Sequence, residues 1–177
     1  HFLIAPCRSK DRSEFLVRTI ENQPGLGSNF LNNCKIPIVN LSDLESVNRF
    51  ADNLISEGLP IDSLVLNAGL QYTGAKEARF SSQQIELTFA VNHLSHQLLA
   101  KRLYVLLKKS ISPRVVITAS EVHNPDSPGG RFGKAAGLGQ LNGLKRSKSC
   151  IMLDGSSDFN ADKAYKDSKL CNILFAR

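Results

Sequence analysis

Short apolar runs that alternate with stretches of helical periodicity set the strongest limit on how this chain can fold. Phe2-Leu3-Ile4-Ala5, Lys35-Ile36-Pro37-Ile38-Val39, Ser63-Leu64-Val65-Leu66 and Arg114-Val115-Val116-Ile117-Thr118-Ala119 have the length and apolar content of buried strands. Between the first two, Phe15, Leu16, Thr19 and Ile20 predict a helix over about 11–22, broken by Gln23-Pro24-Gly25-Leu26-Gly27-Ser28. Ser42-Asp43-Leu44-Glu45 reads as a capping box for a helix whose face carries Val47, Phe50, Ala51, Leu54 and Ile55 and which stops at Gly58. Ser81-Ser82-Gln83-Gln84 reads as a second cap, opening a helical segment that runs to about Lys109. Strands separated by helices predict a parallel sheet with helices on both faces, a doubly wound α/β fold.

The 177 residues suit a single domain, here taken as residues 1–177. A hydrophobic content of 42% with 21% charged residues excludes a disordered chain, and no run reaches the roughly 18 apolar residues of a membrane span. The net charge of +6 is scattered, which argues against a nucleic-acid partner and suits an anionic cofactor or a carboxylate-bearing substrate. The densest basic cluster, Lys145-Arg146-Ser147-Lys148, reads as a solvated loop. Cys7, Cys34, Cys150 and Cys171 have no C-x-x-C spacing, so they read as reduced thiols of an intracellular protein, and no metal site is expected. His93 and His96 are three apart, but no third ligand accompanies them.

Chemistry concentrates near the end, in Ala164-Tyr165-Lys166-Asp167-Ser168-Lys169-Leu170-Cys171-Asn172. In a helix, Tyr165 and Lys169 project from one face. An ammonium one turn from a phenol favours the phenolate and draws its pKa down from about 10, toward the range of acid–base catalysis. An exposed Tyr–Lys pair on an amphipathic helix is the competing reading, and alone it would prevail. Upstream, however, stand Asn67-Ala68-Gly69 after one apolar strand, Asn92 inside a long helical segment, where its propensity is poor, and Ser120 after another strand. Asn67 also suits a plain turn, and Ser120 a helix cap. Cys171, on an apolar helix face, reads as core packing.

In this order, these motifs resemble the short-chain dehydrogenase/reductase family. The resemblance implies that Asn92, Ser120, Tyr165 and Lys169 form a catalytic tetrad and that Asn67, Ala68 and Gly69 support the cofactor site. It also implies that Asn40 and Leu41 lie beside the adenine, with asparagine where the family usually has aspartate. Arg8, after the strand expected to carry the adenosine ribose, suits a 2′-phosphate and tips the cofactor toward NADPH, against a plain solvent-facing arginine. The stretch from 121 to 164 is an insertion. Its Glu121-Val122-His123-Asn124-Pro125-Asp126-Ser127-Pro128-Gly129-Gly130, Leu138-Gly139-Gln140-Leu141-Asn142-Gly143-Leu144 and Met152-Leu153-Asp154-Gly155 resemble the light-dependent protochlorophyllide oxidoreductases. So do Ala75-Lys76-Glu77 and Asn92-His93-Leu94-Ser95-His96, whereas Gly69 and Gln71 replace the alanine and tyrosine typical of that branch.

That branch implies NADPH-dependent, light-driven reduction of protochlorophyllide to chlorophyllide in chlorophyll biosynthesis, with the insertion as a lid on a tetrapyrrole pigment. It also implies association with a membrane surface, self-association, and a cytoplasmic or thylakoid location in a cyanobacterium or a plastid in a plant or alga. Leu170-Cys171-Asn172-Ile173-Leu174-Phe175-Ala176-Arg177 is equally similar to retinol-dehydrogenase-type members, which leaves a light-independent carbonyl or retinoid reductase open. A truncated, inactive nucleotide-binding module is the non-enzymatic reading, opposed by the retained Tyr165 and Lys169. The glycine-rich turn expected after a central first strand is absent from the sequence, as are strands after Arg177, so the fold is expected to be incomplete at both ends.

Overall fold

A computed structural model of the chain describes residues 2–25, 30–145 and 149–177. The basic Arg146-Ser147-Lys148 and the Leu26-Gly27-Ser28 part of the first break lie outside the described residues. The chain divides into two compact units, residues 1–41 and 42–177.

In the first unit, β1 (Leu3–Ile4) pairs in parallel with β2 (Cys34–Lys35), and the isolated bridge Cys7↔Ile38 extends the ladder. Regular pairing stops short of the expected 35–39 strand because Pro37 has no N–H to give; its carbonyl still accepts from Cys7 N at 2.8 Å. Helix α1 (Lys10–Glu21) begins at Ser9, whose hydroxyl accepts from Arg12 N, and buries Ile20.

In the second unit, α2 (Leu44–Glu57) buries Val47, Phe50, Ala51 and Leu54, the face its periodicity predicts. It ends at Gly58, which has φ +71° and closes the helix by donating to Leu54 O. Its cap is Asp43 rather than Ser42: the Asp43 carboxylate accepts from Glu45 N at 3.1 Å, while the Ser42 carbonyl is engaged by Ser82 N at 3.0 Å. Strands β3 (Ser63–Leu66) and β4 (Arg114–Ile117) pair in parallel, with Leu66 opposite Ile117. One face leaves Val65 and its cross-strand partner Val116 exposed.

The long helix also starts later than the sequence predicts. Residues 81–84 form a turn in which Ser81 Oγ accepts from Ile85 N, Gln84 takes φ +59°, and the Gln83 amide bonds to Asp43 and to Leu44 N. Helix α3 (Leu87–Phe89) is capped instead by Glu86, whose buried carboxylate accepts from Thr88 N at 2.8 Å and Phe89 N at 2.9 Å. It passes through a π-helical turn, Ala90–Leu94, into α4 (Ser95–Leu107). Helix α4 packs on α2, burying Leu99, Leu103 and Leu106. Helix α5 (Ala161–Phe175) is capped by Asn160, which accepts from Lys163 N at 2.8 Å.

The expected insertion is part of the interior. Cys150 and Leu153 share a core with Phe89 and Cys171, flanked by Ile85, Leu94 and Leu138. Two glycines permit this fold-back. A Cβ on Gly130 would lie 1.7 Å from Asn124 O, and one on Gly143 1.9 Å from Met152 O, so only hydrogen fits at either position. Cys171 is the packing residue its surroundings predict, and burial pushes its thiol up to about 12.

Candidate active site

Helix α5 carries the site because its positions 165, 168, 169 and 172 fall on neighbouring rows of one face. Tyr165 is half-buried, and the Lys169 ammonium lies 5.5 Å from the centroid of its ring. Lys169 is 3% exposed and donates to Thr118 O at 3.0 Å, just past the end of β4. Burial holds its pKa below the ordinary lysine value. Among the described residues, the Tyr165 hydroxyl makes no hydrogen bond, so it is available to a ligand.

Asn92 sits in the π-helical turn, fully buried. Its amide pairs with the Leu70 peptide as a strand neighbour would, accepting from Leu70 N at 2.8 Å and donating to Leu70 O at 3.0 Å. It also donates to Ser168 Oγ at 3.1 Å, and that hydroxyl donates to Tyr165 O at 2.7 Å. Asn92 thereby ties the loop after β3 to the tyrosine-bearing helix. A π turn places one extra residue in the helical coil and is frequent at functional sites. The next acceptor, the Asn92 carbonyl, meets His96 Nδ1 at 3.2 Å.

Asn67, Ala68 and Gly69 form an exposed loop over these groups. Asn67 Oδ1 accepts from Thr118 Oγ1 at 2.8 Å, which fixes the loop to the end of β4. A methyl group built on Gly69 would lie 3.5 Å from Asn92 Oδ1 and 3.7 Å from Lys169 Nζ. The structure therefore brings together Asn67, Ala68, Gly69, Asn92, Tyr165 and Lys169. Ser120 is half-buried at the start of a 3-10 turn, Glu121–His123, that packs on α5; no hydrogen bond joins its hydroxyl to Tyr165. Arg8, Asn40 and Leu41 belong to the first unit, where Arg8 and Asn40 are exposed after the Cys7↔Ile38 bridge.

Three more residues of α5 matter that the sequence does not single out. Lys166, 4% exposed, donates to the carbonyls of Gly130, Phe132 and Lys134. Lys163 donates to Gly137 O and Asp167 Oδ2, both at 2.6 Å, and pairs with Asp154 at 3.1 Å. Asp167 accepts in turn from Gly137 N at 2.8 Å. Burial raises the Asp167 pKa, against the lowering effect of Lys163 and the Gly137 N–H. The helix that carries Tyr165 and Lys169 thus anchors the insertion at residues 130–137 and 154. Three lysines within seven residues of a helix read in the sequence as a solvated face, so no sequence signal marked Lys163 and Lys166 as anchors.

Residues 9–132 match the family described as short chain dehydrogenase. The chain belongs to that family, a family of oxidoreductases with a Rossmann-like doubly wound fold. Its curated relatives include protochlorophyllide reductases. It is 39% identical over 142 residues to protochlorophyllide reductase A, chloroplastic, of Oryza sativa subsp. japonica, a match that covers 77% of this chain and 37% of that protein. To protochlorophyllide reductase, chloroplastic, of Pisum sativum it is 39% identical over 148 residues, covering 80% of this chain and 37% of that protein. The chain therefore spans well under half the length of these relatives. Among solved structures, an uncharacterized protein from Mycobacterium Paratuberculosis superposes with a TM-score of 0.64 at 27% identity, over 97% of this chain and 49% of that one. NADPH-bound carbonyl reductase from chicken fatty liver gives a TM-score of 0.61 at 16% identity, over 98% of this chain and 59% of that one, a likeness of fold alone. Among the described residues, no helix is long and apolar enough to cross a membrane.

Proposed function

We propose that the chain belongs to an NADPH-dependent reductase that converts protochlorophyllide to chlorophyllide in the light. The observation that carries this reading is the insertion: it packs into the core of the unit and is tethered by Lys163, Lys166 and Asp167 to the helix bearing Tyr165 and Lys169. This attachment would hold the insertion beside the Tyr–Lys helix, where a segment enclosing a large pigment is needed. The identity to protochlorophyllide reductases supports the same reading.

The residues fit a nicotinamide nucleotide. Lys169 uses one of its N–H groups on Thr118 O and keeps two for ribose hydroxyls, beside a loop whose Gly69 has no side chain to block approach. Asn67, Ala68 and Gly69 would line the nicotinamide end. The cofactor supplies the hydride. Tyr165 gives its hydroxyl proton to the pigment carbon adjacent to the one that receives hydride, so that the C=C bond is saturated. Lys169 stabilises the resulting phenolate until solvent returns a proton. Asn92 holds the loop and the helix in register; in the carbonyl or retinoid alternative, Ser120 would orient the carbonyl oxygen that Tyr165 protonates. We read residues 1–177 as parts of one nucleotide-binding domain with a plastid or thylakoid-associated setting, self-associating and without a nucleic-acid partner.

The test is an absorption spectrum of the protein with NADPH and protochlorophyllide, before and after a flash. Tyr165→Phe is expected to cut turnover by roughly 10²–10⁴ without weakening NADPH binding, and Lys169→Met to damage both. Arg8→Ala is expected to remove the preference for NADPH over NADH. Turnover in the dark on carbonyl or retinoid substrates, with no photoproduct from the pigment, would overturn the pigment reading in favour of a carbonyl or retinol-type reductase.

A further inference from the structure

The Lys169 ammonium does not hold the Thr118 carbonyl alone. Asn172 Nδ2 donates to the same oxygen at 3.1 Å, beside the 3.0 Å bond from Lys169 Nζ. A carbonyl oxygen has two lone pairs, so these two donors use its full capacity. Thr118 is fixed on its other sides as well, by its N–H to Leu66 O at 3.1 Å and by its hydroxyl to Asn67.

The orientation of the Asn172 amide follows from chemistry. Turning it over would set its oxygen against the Thr118 oxygen, acceptor against acceptor. Its Oδ1 therefore faces His93 Nδ1 at 2.9 Å, and His93 must be the donor. His93 is buried, stacked on Phe89 with centroids 5.4 Å apart and met edge-on by Phe175 at 6.0 Å, which leaves its ring little freedom. Burial also lowers its pKa, in keeping with a neutral ring that carries its proton on Nδ1. A continuous line of donors and acceptors thus runs from His93 to Asn172, to the Thr118 carbonyl and to Lys169.

We propose that Asn172, oriented by His93, is a positioning residue for Lys169 that acts through the shared Thr118 carbonyl. Neither side chain reaches the site opening: Asn172 is 2% exposed and His93 8%. With Asn172 in place, the Thr118 peptide cannot rotate without breaking a buried bond, so the ammonium keeps one fixed direction relative to the Tyr165 ring. Without it, one lone pair of the carbonyl is unpaired and the peptide, with Lys169, gains freedom.

The test needs no substrate. Acetic anhydride labels lysines that are free to react, and mass spectrometry of the digested protein reads each lysine separately. Asn172→Leu keeps the branched shape but removes both amide bonds; His93→Phe keeps the stacking but removes the donor. In both, labelling of Lys169 is expected to rise roughly 2- to 12-fold, the equilibrium worth of one buried hydrogen bond, while Lys163 and Lys166 on the same helix stay unchanged. His93→Asn, which restores an N–H at the position of Nδ1, is expected to bring Lys169 labelling back toward the unmutated level. A rise at all three lysines would mean general loosening of α5 and would overturn the proposal, as would no rise at Lys169. A binding titration adds a second arm, which rests on the nucleotide reading above. NADPH affinity of Asn172→Leu/Lys169→Met is expected to match that of Lys169→Met alone, because both changes act through one ammonium. Additive losses would overturn the proposal, whereas failure of the unmutated protein to bind NADPH would remove the nucleotide reading and leave the labelling result standing.

Discussion

His96 gives the structure a pH dependence that can be measured against a single substitution. The side chain is 4% exposed and its Nδ1 meets the Asn92 carbonyl, an acceptor, so Nδ1 carries a proton. Burial is the main cause that lowers its pKa from 6.5 to about 4; the bond to Asn92 O works the other way, and Lys169 and His93 add to the lowering. In the unfolded chain the ring protonates near its ordinary value of about 6.5. Neutral His96 therefore contributes stability that is complete above pH 6.5 and is lost as the pH falls toward 4, where the folded ring also takes a proton. At full extent this is worth about 3 kcal/mol, of which about 2 kcal/mol falls between pH 7 and pH 5. His96→Gln keeps an uncharged donor and removes the titration. Urea unfolding at pH 7 and pH 5 should show the unmutated protein losing about 2 kcal/mol more than the variant, with the contributions of His93 and the carboxylates cancelling in the comparison. Equal losses in the two proteins would show that His96 titrates normally in the fold and that its burial is not as described.

Lys166→Met removes the ammonium from the Gly130, Phe132 and Lys134 carbonyls, and amide exchange across residues 127–137 should quicken by about tenfold or more, given roughly 1.5–3 kcal/mol for a hydrogen bond to a charged group. Exchange at the unmutated rate would show that the insertion is not anchored there. Gly143→Ala drives a methyl to 1.9 Å from Met152 O and should cost about 1–3 kcal/mol in thermal unfolding, whereas Gly69→Ala, with its nearest neighbour at 3.5 Å, should stay within about 0.5 kcal/mol. Asn92→Leu strips both partners from the Leu70 peptide and should destabilise the unit by about 1–3 kcal/mol per group left buried, read by the same melts.

Patterns confined to one or two turns of chain were legible in the sequence. The apolar run Ser63-Leu64-Val65-Leu66 is β3, the face of Val47, Phe50, Ala51 and Leu54 is the buried face of α2, and Gly58 ends that helix in the left-handed region. Tyr165 and Lys169 are one turn apart on α5, and the poor helix propensity of Asn92 coincides with a π-helical turn. What depended on distant partners was not legible. The cap expected at Ser42 moved to Asp43 because the Ser42 carbonyl meets Ser82, and the cap expected at Ser81 gave way to Glu86 because Gln83 is drawn to Asp43. Lys163 and Lys166, which periodicity alone would leave in solvent, found carbonyls some thirty residues back along the chain. Asn172 gained its meaning from His93 and Thr118, 79 and 54 residues away. Hydrophobic period is a local property of the chain, so the sequence determined the elements and the spacing of the Tyr–Lys pair. A buried polar group must be satisfied wherever a partner lies in space, so only the tertiary structure decided which carbonyl each lysine and amide would hold.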